Sequence, residues 1–186
     1  DIDAEVRQTA HAEAMRGIAL ANELVAMVSR LEGAGVPVIA LMGPALAMRA
    51  SDVVSHRPPG NLDLLVKAAD VERALSVFDA LGYALADTVI PGQDAALREP
   101  EYHHGLTNGA GIVVELHWRL TKRQYGHEAE DAFWWANHER TSVAGSEVSA
   151  LRDDALLIYL AIHGGKHEWW YLRWIGDIAA VAQKEK

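Results

Sequence analysis

The 186-residue sequence contains no cysteine. A disulfide framework and thiolate metal sites are therefore excluded, and the absence fits a reducing compartment. No apolar run reaches the roughly 18 residues that a bilayer-spanning helix needs, so no membrane partner is expected. The first residues, Asp1-Ile2-Asp3, offer neither a basic n-region nor an apolar h-region, so no signal peptide is expected and the expected location is cytoplasmic. Positive charge is scarce: 17 basic residues face 26 acidic ones, for a net charge of −9. Binding a long nucleic acid needs a basic surface, so no such partner is expected. A metal, a free nucleotide or a cationic small molecule remains compatible.

What is present is apolar. Hydrophobic residues make up 50% of the chain, enough for a sizeable core. Residues 3–32 read as one or two helices whose apolar stripe is Ile18, Ala21, Leu24, Val25, Val28 and Leu31, at three- and four-residue spacing. Residues 36–42 are a continuous apolar run that suits a buried strand, and Gly43-Pro44 then opens a short helix. Residues 51–60 read as a loop and residues 61–66 as a second strand. Asp70 caps a helix with the stripe Val71, Leu75, Phe78 and Leu81, ended by Gly82. A strand at 83–86 and a loop at 87–101 follow. Asn108-Gly109 joins the strands 102–107 and 112–118 into a hairpin. Residues 128–138 suit a short helix and residues 143–148 a hairpin about Gly145. Ser149 is expected to cap a helix from Leu151 to His163, Gly164-Gly165 to interrupt it, and residues 166–183 to resume it. Helices, then mixed elements, then helices make an α+β chain.

Side chains two apart on a strand share a face. Asn61 and Asp63 therefore share one, and so do Glu115 and His117. If the two strands are neighbours, Asn61, Asp63 and Glu115 converge. Glu115 lies between Val114 and Leu116, where an unpaired carboxylate is costly. A divalent metal would explain it, and so would an ion pair with Arg57 or Arg119. His163 and His167 are four apart, a spacing that on one helix chelates a transition metal with His117 as third ligand. The intervening Gly-Gly and the missing His-Glu-x-x-His signature leave polar cleft histidines as the plainer alternative. Lys166 and Arg57 are candidate phosphate contacts, or solvated surface groups. His103 and His104 point to opposite faces, so one at most joins any site. The tryptophans at 134, 135, 169, 170 and 174 suit helix packing more than stacking on a base. Arg173 and Asp177 suit a helical ion pair.

Three segments, taken in order, resemble a known family: Leu41-Met42-Gly43-Pro44-Ala45-Leu46, then Arg57-Pro58-Pro59-Gly60-Asn61-Leu62-Asp63-Leu64-Leu65-Val66, then Val114-Glu115-Leu116-His117-Trp118. So does the C-terminal pattern of Leu156 to His163, His167, Trp170, Leu172 to Trp174, and Asp177. The family is that of uncharacterised bacterial nucleotidyltransferases with a DNA-polymerase-β-like core, and the resemblance covers about residues 15 to 180. It implies a mixed sheet flanked by helices, with a core at 1–148 that includes the N-terminal helix and a helical part at 149–186 packed on it. It implies transfer of a nucleoside monophosphate from a nucleoside triphosphate to a hydroxyl of a small-molecule or protein acceptor. Asp63, Glu115 and Asn61 would be the catalytic and metal-binding positions for Mg2+ or Mn2+, with no organic cofactor. Gly43, Pro44, Arg57, His117, His163, Lys166 and His167 would bind substrate. Two positions depart from the pattern. Asn61 stands where the family has Asp, and Met42 where it usually has Lys. Asn keeps an oxygen ligand but loses a charge, and Met cannot pair with phosphate. A catalytically weak descendant that binds a ligand or partner protein is thus the alternative reading.

Overall fold

The computed structural model describes residues 2–51, 60–86, 102–120 and 130–184. The helices are α1 (Ile2–Gly33), α2 (Pro44–Ser51), α3 (Val71–Ala80), α4 (Glu130–Ala136), α5 (Asp153–Lys166) and α6 (Leu172–Lys184). The strands are β1 (Val38–Ala40), β2 (Leu62–Val66), β3 (Tyr83–Leu85), β4 (His103–Asn108), β5 (Val113–His117), β6 (His138–Val143) and β7 (Ser146–Leu151). They form one mixed sheet in the order β3-β4-β5-β2-β1-β7-β6. Pairings β2–β5 and β1–β7 are parallel and the others antiparallel. This is the expected α+β class with helices at both ends. Among the described residues no helix is long and apolar enough to cross a membrane.

Strand parity divides the core in two. Val38 and Ala40 of β1, Leu62, Leu64 and Val66 of β2, and Val114 and Leu116 of β5 pack with Leu20, Leu24, Met27 and Leu31 of α1 and Phe78 of α3. The opposite parity, Ile39 of β1, Leu65 of β2 and Leu151 of β7, packs with Trp134 of α4, Leu156, Tyr159 and Leu160 of α5, and Val181 of α6. A sheet with both faces covered gives continuous apolar strands, which is how residues 36–42 read.

Several boundaries differ from those the sequence predicts. The first helix is a single element, and its buried stripe includes Leu20 and Met27, whereas Ile18 is 49% exposed. Several residues per turn are apolar there, so periodicity alone leaves the face ambiguous. Asp70 stands at the N-cap of α3 without a side-chain capping bond and pairs with Arg73 at 3.3 Å instead. Ser149 is no cap. It lies buried in β7, where Arg140 of β6 donates to its hydroxyl at 3.2 Å, and β7 runs on to Leu151 before α5 starts at Asp153. Helix α5 also passes unbroken through Gly164-Gly165 to Lys166. The break falls later, at 167–171. There Glu168 and Trp169 take left-handed φ values of 53° and 56°. The expected loops at 51–60 and 87–101 lie largely outside the described residues.

Gly43 joins β1 to α2 with φ of 70°. A Cβ there would sit 3.1 Å from the backbone oxygen of Asn61. Both the dihedral and this approach require glycine. Gly43→Ala is expected to cost about 1–2 kcal/mol, the left-handed penalty for an L-residue, measurable as a lowered urea midpoint with an unchanged slope.

Candidate active site

The site lies on the sheet face away from α1 and α3. Parallel pairing sets Asp63 opposite Glu115 and Leu65 opposite His117. Since Leu62, Leu64, Val114 and Leu116 fill the α1/α3 core, the alternation turns Asp63, Glu115 and His117 to the other side. Asn61, one residue before β2, keeps the same parity. Its amide nitrogen donates to Glu115 Oε1 at 3.0 Å and lies 3.5 Å from Asp63 Oδ1. His117 Nε2 is 3.5 Å from Asp63 Oδ1 and 3.3 Å from Glu115 Oε2. One ligand atom from each of Asp63, Glu115 and His117 falls within 4.8 Å of the others. Asn61, Asp63 and Glu115 thus meet as expected, and His117 joins them.

Asp63 is only 3% exposed, and burying a carboxylate beside another must be offset. Among the described residues neither acid forms an ion pair with an arginine, and Arg57 lies outside them. The offset comes from His117. Burial opposes a charged imidazole, yet the carboxylates of Asp63 and Glu115 outweigh it and hold the His117 pKa above the usual histidine value. The contact with His117 pulls Glu115 down to about 2 against the effect of burial, with help from the charges of His103 and Lys166. Burial lowers the Lys166 ammonium, and the two acids partly restore it.

Two further groups of side chains flank these residues. Tyr102 and His103, at the start of β4, stack towards His117, with ring centroids 4.4 Å apart from each other and 5.1 Å between the two histidines. The register pairs His103 with His117. His103 is therefore the histidine of its pair that joins the site, whereas His104 packs on Trp118 at 4.9 Å. From the end of α5, Lys166 Nζ lies 4.9 Å over the Tyr102 ring. His163 and His167 are adjacent at the end of α5, 4.7 Å between centroids, and both touch the buried Trp174 of α6. Burial lowers His103 to about 4 and His163 to about 3. Among the described residues the His117–His163–His167 metal triad does not form; Asp63, Glu115 and His117 are the cluster with ligand spacing. Trp134 and Trp174 are buried packing groups, while Trp170 is 79% exposed. Asp177 is buried and Arg173 lies over the Tyr171 ring at 5.4 Å. Met42 is buried in the apolar cluster of α5 and α6.

No local sequence pattern assigns a role to Tyr102 or His103. The register of the Asn108-Gly109 hairpin is the signal that places His103. Asn108 holds that turn by accepting from the amides of Ala110 and Ile112, each at 3.0 Å.

The donor set suits a divalent cation. Carboxylate oxygens of Asp63 and Glu115 converge, and both ring nitrogens of the buried His117 lack a hydrogen-bond partner among the described residues. The Nε2 approach to the acids is close but not aligned as a hydrogen bond.

The chain matches the sequence family described as "Uncharacterised nucleotidyltransferase" over residues 1–186. No curated protein matches it. Its fold is similar to several solved structures, including the following three. The lincomycin-bound crystal structure of the lincosamide antibiotic adenylyltransferase LnuA superposes with TM-score 0.59 at 14% identity, covering 87% of this chain and 95% of that one. The antibiotic-resistance factor ANT(2'')-Ia gives 0.58 at 13% identity, over 89% and 85%. An antigenic nucleotidyltransferase-like protein from Paracoccidioides brasiliensis gives 0.57 at 15%, over 87% and 74%.

Proposed function

The chain belongs to the uncharacterised nucleotidyltransferase family, and on that premise we propose that it transfers a nucleoside monophosphate from a nucleoside triphosphate to a hydroxyl of a small-molecule acceptor. The observation that carries the reading is the direct opposition of Asp63 and Glu115 across the parallel β2–β5 pair. In the transfer, the acceptor oxygen bonds to the α-phosphorus. The bond to the bridging oxygen breaks, pyrophosphate departs with the electron pair, and the hydroxyl proton is released. A divalent cation held by Asp63 and Glu115, with Asn61 as neutral third position, would supply charge neutralisation to the phosphates. Mg2+ or Mn2+ fits such oxygens.

The chain's own residues do the rest. Gly43 permits close backbone approach beside Asn61, with Pro44 starting α2 behind it. Lys166 brings a positive charge to the rim, where His163 and His167 line the same wall for the substrate, as His117 does at its floor. The acidic net charge favours a small or cationic acceptor. A small-molecule acceptor also agrees with the fold's likeness to a lincosamide antibiotic adenylyltransferase that binds lincomycin. A protein hydroxyl is the other acceptor class, and a cytoplasmic location is part of the proposal.

Two observations favour a weak or inactive descendant as the second reading. Met42 is in an apolar cluster, and Asn61 spends its amide hydrogen on Glu115. Incubation with each labelled nucleoside triphosphate, Mg2+ or Mn2+ and a panel of small-molecule hydroxyls that includes lincomycin separates the two. Labelled acceptor with pyrophosphate release supports the enzyme, and nucleotide binding without turnover supports the descendant.

Restoring the missing charge is a further test. Asn61→Asp is expected to tighten Mg2+ binding on the order of tenfold by calorimetry, because a third carboxylate joins two. Without metal the same variant should lose about 1 kcal/mol of stability to the new repulsion next to Glu115. Unchanged Mg2+ affinity would show that position 61 is not a metal ligand.

A further inference from the structure

We propose that His117 is itself a metal ligand, so that the site prefers Mn2+ and later transition ions over Mg2+. The inference rests on the metal-dependent reading above and narrows it to a class of ion. His117 is 2% exposed. Its Nε2 is aimed between the oxygens of Asp63 and Glu115, at 3.5 and 3.3 Å. That nitrogen has no hydrogen-bond partner among the described residues, and neither does Nδ1. Buried polar atoms are rarely left orphaned. An ion shared with the two acids would occupy the nitrogen.

The ring is also held in place. His103 stacks on it at 5.1 Å with planes 28° apart, and Tyr102 at 6.2 Å with planes 27° apart. The strand pairing of His117 with His103 on one side and Leu65 on the other fixes its height in the sheet. A ligand immobilised in this way gains in specificity.

The consequence follows from donor chemistry. Position 61 carries a neutral amide, so it brings no third anionic oxygen to the two acids. The added donor is the imidazole nitrogen of His117, which releases its proton when an ion replaces that positive charge between the two acids. Mg2+ favours oxygen ligands and keeps its waters. Imidazole suits Mn2+ only modestly, and Co2+ or Zn2+ better, in the order of first-row affinities.

The test uses the whole chain labelled with 15N-histidine. Mn2+ is added alone and with a non-hydrolysable ATP analogue, and electron spin-echo modulation is recorded. Coupling to a histidine 15N is expected in the unmodified protein and absent in His117→Gln. Calorimetry is expected to show Mn2+ bound on the order of tenfold more tightly than Mg2+, and that preference to disappear in His117→Gln. Mn2+ bound without histidine coupling, or coupling that survives His117→Gln, overturns this inference and leaves the nucleotidyltransferase reading standing. No Mn2+ bound even with the analogue overturns both. The spectrum of the unmodified protein decides the matter even if the variant folds poorly.

Discussion

Asp63→Asn is expected to lower the rate of pyrophosphate release by at least about a thousandfold, or roughly 4 kcal/mol of transition-state stabilisation. The substitution keeps size and shape but removes the more deeply buried of the two acids, which is 3% exposed. Backbone placement should survive, since the Leu41 amide donates to the Asp63 main-chain oxygen at 2.9 Å, a bond no side-chain change removes. The melting temperature should therefore stay near that of the parent protein while turnover collapses. The comparison is made with Mg2+ and with Mn2+, at saturating nucleoside triphosphate. A variant that keeps activity within tenfold of the parent would mean that the chemistry lies elsewhere.

Acidification is expected to destabilise the fold steeply between pH 6.5 and about 4. Burial depresses the pKa of His103 to about 4 and of His163 to about 3 in the folded protein. His104 and His167 shift in the same direction, also through burial. In the unfolded chain these groups titrate near 6.5. Across that window the unfolded state binds more protons, so stability falls as pH falls. His117 works oppositely. Its folded pKa is raised, so its contribution is complete below pH 6.5 and declines only at higher pH. Glu115, depressed to about 2, adds its own loss below about pH 4.5. Both His103 and His163 are partly open to water, which screens the effect. After that allowance the pair is expected to account for about 2–3 kcal/mol. Denaturant titrations at half-unit pH steps measure the slope, and His163→Phe should flatten it. An equal slope in that variant would show that His163 is not held neutral.

Much of the fold was legible because strand parity and turn chemistry are local. The apolar run at 36–42, the alternation at 61–66, the Asn108-Gly109 hairpin and the stripe of α3 all carried their own signal. The acids met because i and i+2 share a face and two strands happened to be neighbours. What escaped was settled by distant partners. Gly164 stays within α5, and its lack of a side chain admits the Trp169 ring: a Cβ there would collide with that ring. The helix keeps a residue of poor propensity for a packing reason. Ser149 resembled a cap but is opposite Arg140 in a strand pair. The position of the Lys166 cation over the Tyr102 ring depends on where α5 ends relative to β4, which no local pattern encodes.

The side-by-side alignment of β2 and β5 has a further implication. A pleat repeats every two residues, so sliding one strand by a single position would exchange Glu115 and His117 for Val114 and Leu116. The cleft would then be lined with hydrocarbon, and ionised groups would be driven into the greasy layer beneath α1. No intermediate alignment brings the two acids together. Whether Asp63 and Glu115 face one another is therefore a yes-or-no report on topology, and a mutational survey of divalent-ion binding should find hits along this seam far from the two acids themselves.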